Sequence, residues 1–295
     1  VDESAKPTVV PPPSIPAVVE TAMVGKALKS RFEMFLLSLT GGAFIGVGFI
    51  FFTTTQMDAG AVDWYGITKL VGGLAFSVGL ILVVLTGADL FTSTTMTVIP
   101  LARNKITGGQ WITHWVIVYL GNIIGAVGLA VIVFLAGTYM QGGGAWGLVT
   151  VNTALSKVSH GWLEAFLLGI LANMLVCLAI WTSFAGRSLT DKVLAIIGPI
   201  ALFVASGFEH SVANMFMIPM GLLVKHFGGD AFWNSEAVTS AGLTPEAVGD
   251  LTVTSFFMDN LIPVTVGNIV GGAVLVALYY WRIFLRPEEK VTAGK

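Results

Sequence analysis

Glu209 and His210 stand side by side in the stretch SGFEHSVANMFMIP (206–219), between two long apolar runs. An imidazole gains or loses a proton near neutral pH, and beside an arriving anion its charged form is the favoured one. That is a chemical reason for an anion pathway to contain a histidine. A neutral hydroxyl donates to an anion without trapping it, and Thr92, in DLFTSTT (89–95), is the hydroxyl to set against His210. Each residue also has a purely architectural use. A membrane histidine can serve as an interhelical hydrogen bonder, and Thr92 can bond local backbone. Asp89 and Glu209 can accept from the free N–H groups that open a following half-helix, as an N-cap does. A metal site has little support. His114, His160 and His226 lie near expected membrane ends without a spaced partner, and the single Cys177 offers neither a disulfide nor a thiolate cluster.

The elements that must position these residues are membrane helices. Of 295 residues, 55% are hydrophobic and only 11% charged, where a soluble domain carries about a quarter charged. Apolar runs long enough to cross a bilayer, about 20 residues each, recur along the whole chain. The pattern predicts an all-α membrane protein with six spans, near 34–57, 70–100, 112–140, 160–185, 192–224 and 254–284. The second and fifth are interrupted by TGADLFTSTT (86–95) and SGFEHSVANM (206–215), so both read as broken helices. Backbone freed by such a break is tolerated in a membrane only inside protein or beside a wet cavity. The net charge of -2 and the lack of a basic patch give no sign of nucleic-acid binding. The first 33 residues are polar and Pro-rich, and no cleavable signal peptide is expected there.

Lys and Arg fall twelve on one side of these spans and three (Lys69, Lys157, Lys225) on the other. The positive-inside rule puts both termini in the cytoplasm and the hydrophilic loop 225–253 outside. The expected organisation is a Pro-rich disordered tail (1–16), an amphipathic helix on the inner surface (17–32), a transmembrane channel domain (33–286) and a C-terminal tail (287–295). Within the channel domain an internal repeat relates about 33–141 to 160–286. EMFLL (33–37) recurs as EAFLL (164–168), Gly87-x-Asp89 as Gly207-x-Glu209, IP (99–100) at 218–219, and GNIIG (121–125) as GNIVG (267–271). Three spans per half require the halves to insert upside down relative to each other, and broken helices at matching places point to a transport site near the midplane. Asn122 and Asn268 read as helix-packing amides. Asn173 and Asn214 read the same way, with pore lining as their alternative. The Gly-x3-Gly spacings allow close helix approach within or between subunits.

GADLFTST (87–94), GFEHSVANMFMIP (207–219) and DNLIPVTVGNIVGG (259–272) together resemble the formate/nitrite transporter family, and within it the formate channels, over about residues 20–286. The resemblance implies an aquaporin-like fold of six helices, the second and fifth broken, in a homopentamer whose subunits each hold a pore. It implies the bacterial inner membrane, with the lipid bilayer and sister subunits as partners and no cofactor. The family's central histidine falls on His210 and its facing threonine on Thr92. Constrictions are implied at Leu80, Leu90, Phe91 and Val176 on one side of the chamber and at Phe76 with Phe203 on the other. Glu209, Asp89, Lys157, Asn173 and Asn214 match positions around the path, and Lys26 matches a position in a gating N-terminal helix. The expected activity is passive or proton-linked transport of small monovalent anions, chiefly formate, with lysines at the mouths raising the local anion concentration. Nitrite or hydrosulfide selectivity is the alternative in the same scaffold. A neutral-solute channel of aquaporin type would be expected to carry paired Asn-Pro-Ala motifs, which this chain lacks. An enzyme is disfavoured, because the breaks supply no nucleophile–base pair.

Overall fold

A computed structural model describes residues 9–59 and 63–286. The first half of the expected N-terminal tail (1–8) and all of the expected C-terminal tail (287–295) lie outside the described residues. Helix α1 (Ile15–Ala27) follows a 3-10 turn at Pro12–Ser14. It is buried on one side only, through Ile15, Val19, Met23 and Ala27. Buried Glu20 ties that side to Arg103 (2.8 Å) and Lys105 (2.7 Å). The surface helix expected over 17–32 is thus shorter and earlier, because Ser30 opens a new helix by accepting from Glu33 N–H at 3.2 Å.

That new helix is α2 (Arg31–Thr55), followed by α3 (Tyr65–Thr86), the short α4 (Phe91–Thr94) and α5 (Val98–Ala102), and α6 (Gly108–Leu135). After α7 (Ala145–Val158) come α8 (Trp162–Ser183), α9 (Leu189–Ala205) and α10 (Ser211–Phe227). Small helices α11 (Gly229–Trp233), α12 (Glu236–Ser240) and α13 (Val253–Ser255) lead into a last helical run. That run alternates π-helical Phe256–Leu261, α14 (Ile262–Ile269), π-helical Val270–Leu278 and α15 (Tyr279–Phe284). There is no strand among the described residues. Among the described residues, five helical runs are long and apolar enough to cross a membrane: Arg31–Thr55, Tyr65–Thr86, Gly108–Leu135, Trp162–Ser183 and Val253–Phe284. α9 and α10 have 17 residues each, about 25 Å at 1.5 Å per residue, and neither reaches across alone.

Glycine sets the closest helix contacts. A Cβ at Gly125 would run into Leu39 O of α2, and one at Gly271 into Ile170 O of α8. The Gly-x3-Gly spacings therefore serve packing inside one chain, α6 on α2 and the last run on α8. At the end of α10, Lys225 Nζ donates to the carbonyls of Val248 (2.8 Å), Gly249 (3.2 Å) and Leu251 (2.8 Å).

Candidate functional site

Two gaps in helix meet in the interior. α3 stops at Thr86 with Gly87 left-handed (φ 77°), and α9 stops at Ala205 with Gly207 left-handed (φ 72°). A left-handed residue ends a helix by turning the next N–H back onto it, and glycine adopts it without strain. Ala88 N–H donates to Val83 O at 3.1 Å, and Phe208 N–H to Phe203 O at 3.0 Å. The chain then crosses to a neighbouring helix, Asp89 N–H to Leu37 O (3.0 Å) and Glu209 N–H to Leu168 O (3.4 Å). Helix resumes at Phe91 in one gap and at Ser211 in the other.

The carboxylates do not take the N–H groups of the half-helices that follow. Phe91 N–H and Ser211 N–H go instead to the side chains of Asn122 and Asn268, both at 2.8 Å. Asp89 is bound by Lys26 (2.7 Å) and Lys29 (3.0 Å) from the end of α1 and the turn after it. Glu209 is bound by Lys157 of α7 (2.9 Å) and accepts from the amides of Asn214 (2.7 Å) and Asn260 (3.1 Å). Both carboxylates are buried. Buried charges of this kind are tolerated when paired and fully hydrogen-bonded.

His210 and Thr92 are brought together, with Nε2 and Oγ1 2.9 Å apart. The other ring nitrogen, Nδ1, accepts from Ala213 N–H at 3.1 Å as the N-cap of α10. An acceptor at Nδ1 assigns the proton of the neutral ring to Nε2, so Nε2–H donates and the Thr92 oxygen accepts. Both residues are almost wholly buried.

A cavity of about 520 Å³ runs from Tyr65 and Lys69 down to Phe76, Phe203 and His210, with Lys157, His160 and Glu209 on its wall. The rings of Phe76 and Phe203 meet edge to face at 5.6 Å, and Phe203 lies 5.9 Å from the His210 ring. His160 Nδ1 is 3.0 Å from Glu164, and its Nε2 is 3.9 Å from Glu209. Leu80, Leu90 and Val176 are buried and do not line this cavity. Phe91, expected beside them, turns its ring onto Trp115 (5.7 Å) and Tyr119 (4.7 Å), along an apolar outer groove that includes Ile262 and Val266.

Asn173 and Asn214 stand behind the gaps and line none of this cavity. Asn173 Nδ2 donates to Thr92 O (3.1 Å) and Asn268 O (2.6 Å), and Asn214 Nδ2 to Glu209 and to Asn260 Oδ1 (2.7 Å). Lys29, His160 and Asn260 were not singled out from the sequence for these contacts. Asn260 lies in the π-helical segment, whose altered register no simple apolar period reports.

Comparison with known proteins places this geometry in context. The Formate/nitrite transporter family model matches residues 14–282. The formate channel FocA of Escherichia coli (strain K12) is 49% identical over 278 residues, 94% of this chain and 95% of that one. FocA of Haemophilus influenzae is 46% identical, over 88% of this chain and 89% of its own. A probable formate transporter of Methanothermobacter thermautotrophicus is 34% identical, over 92% and 94% of the two chains. Among solved structures, a pentameric formate channel with formate bound superposes with a TM-score of 0.80 at 45% identity, covering 87% of this chain and 98% of the other. An FNT family ion channel superposes with a TM-score of 0.75 at 28% identity, covering 92% and 98%.

Proposed function

The chain belongs to the formate/nitrite transporter family, and we propose that it conducts small monovalent anions, chiefly formate, across the bacterial inner membrane. It is a membrane channel protein, not an enzyme, and it works as a homopentamer with one pore per subunit. The observation that carries this reading is the contact of Thr92 with His210, which itself lines a cavity shared with Lys69 and Lys157. Similarity to formate channels, one of them a pentamer with formate bound, supports the substrate and the assembly. α9 and α10 together make the fifth crossing, α3 with α4 and α5 the second, and both termini face the cytoplasm, as the lysine and arginine count favours.

Lys69 and Lys157 draw anions into the outer cavity, and the Phe76–Phe203 pair strips water from them. The Thr92 oxygen already accepts from His210, which leaves its O–H as the donor for a passing anion. Glu209 is held by Lys157 and two amides, and so does not repel the anion as a free carboxylate would. Proton donation by His210 requires its imidazolium, and that form cannot keep the bond from Ala213 N–H. Losing the bond leaves a buried donor unsatisfied at about 1–3 kcal/mol, so proton transfer is coupled to the first turn of α10. On the inner side, Leu80, Leu90 and Val176 form the narrow part, and Lys26 and Lys29 clasp α1 over it through Asp89.

The test is flux into proteoliposomes containing the purified pentamer, with formate, nitrite, hydrosulfide and glycerol compared. Formate entering faster than the other solutes supports the reading. Glycerol entering as fast as formate makes the pathway a neutral-solute pore and overturns it. Nitrite or hydrosulfide leading would keep the scaffold and reassign the substrate.

A further inference from the structure

Asn268 is a single side chain with three bonds, two of which bracket one residue while the third anchors it to a neighbouring helix. Its Oδ1 accepts from Ser211 N–H at 2.8 Å, and its Nδ2 donates to Glu209 O at 3.0 Å and to Gly169 O of α8 at 2.7 Å. The peptide groups before and after His210 are therefore both fastened to the last helical run, and through it to α8. Asn122 does the same in the other half. It accepts from Phe91 N–H (2.8 Å) and donates to Asp89 O (2.9 Å) and Ser38 O of α2 (2.7 Å), which brackets Leu90. Both asparagines are fully buried with every amide group partnered, and such a network rigidifies what it holds.

The two brackets differ in what lies between their arms and in what joins them. The backbone carbonyl of Asn268 receives Asn173 Nδ2 at 2.6 Å, and the same amide reaches Thr92 O at 3.1 Å. An unbroken frame thus runs from Thr92 C=O through Asn173 to Asn268, and on to both sides of His210. We propose that Asn268 is a positioning residue for anion passage, fixing the His210 ring against the Thr92 hydroxyl from the last helical run. Asn122 is its architectural counterpart and holds the opposite gap without touching the histidine. This inference rests on the conduction pathway proposed above. The asparagine acts through His210 and does not contact the anion.

The aspartate variants make the same lesion in both places. Asn268→Asp and Asn122→Asp each keep an oxygen for the half-helix N–H and lose two donations to carbonyls. Formate flux is measured across about pH 5 to 8, where a histidine titrates, together with the formate-to-nitrite ratio, in pentamers of matched amount. Asn268→Asp is expected to lower formate flux roughly tenfold or more, as misplacement of a reacting group does, and to move the pH profile and the ratio. Asn122→Asp is expected to lower flux with the profile unmoved. A folded Asn268→Asp pentamer with native profile and ratio overturns the inference, and so does an equal profile shift from Asn122→Asp. Should Asn268→Asp fail to assemble, amide exchange in the native protein decides. Ser211 N–H is expected to exchange as slowly as the core of α8, and fast exchange there refutes the bracket. Native pentamers that fail to carry formate would instead remove the functional reading and leave the exchange result standing.

Discussion

Removing Lys157 is the sharpest single perturbation of the gap between α9 and α10. Its ammonium lies 2.9 Å from Glu209 Oε1, with the two side chains 12% and 3% exposed. Breaking a buried pair by deleting one partner leaves an uncompensated charge and costs about 3–5 kcal/mol. Here the lower end applies, because Glu209 Oε2 keeps the amides of Asn214 and Asn260, while Oε1 keeps only His160 at 3.9 Å. Lys157→Met is therefore expected to destabilise the subunit by about 3 kcal/mol. Adding Glu209→Gln removes the stranded charge, and the double variant should recover about 2 kcal/mol of that loss, well above the roughly 0.5 kcal/mol scatter of additive pairs. The assay is a four-member cycle of native, two single variants and the double, followed by thermal loss of the folded pentamer and by formate flux. Lys157→Met alone should also depress flux, because an unpaired Glu209 repels the anion on the cavity wall. A Lys157→Met protein as stable as native, or strictly additive variants, would refute the pairing argument.

Thr92→Val should abolish most formate flux while Thr92→Ser retains it, read in proteoliposomes, since only the hydroxyl is required. Gly207→Ala meets no atom within 4 Å, so its cost is the left-handed backbone alone, about 1–2 kcal/mol. Gly271→Ala, by contrast, collides with Ile170 O and should prevent pentamer assembly, as judged by size-exclusion chromatography in detergent. Nitrogen NMR of labelled His210 at neutral pH should report the Nε2–H tautomer, as the Ala213 N–H bond requires; the Nδ1–H tautomer would contradict it.

The sequence exposed those parts of the fold that violate a membrane's preferences. Asp89, Glu209 and His210 are visible because ionisable groups in apolar runs are expensive, and Gly87 and Gly207 because they sit at the interruptions. Asn122 and Asn268 were visible as a repeated pair, but their partners are backbone carbonyls of Ser38 and Gly169, which no side-chain type marks. Lys29 reads as a surface lysine of an amphipathic helix until the fold brings Asp89 beside it. Phe91 is expected with Leu90 at a constriction, yet Leu90 is the extended N-cap and Phe91 the first helical residue of α4, so the two side chains part there and the Phe91 ring packs onto Trp115 and Tyr119.

The central claim is that His210 and Thr92 together receive the anion. Formate flux across about pH 5 to 8 for native protein and His210→Asn, in liposomes carrying equal amounts of pentamer, tests it most directly. Native flux selective for formate, with the pH response lost in the variant, is the predicted result. A variant that conducts formate with the native pH profile would make His210 only the cap of α10 and contradict the account.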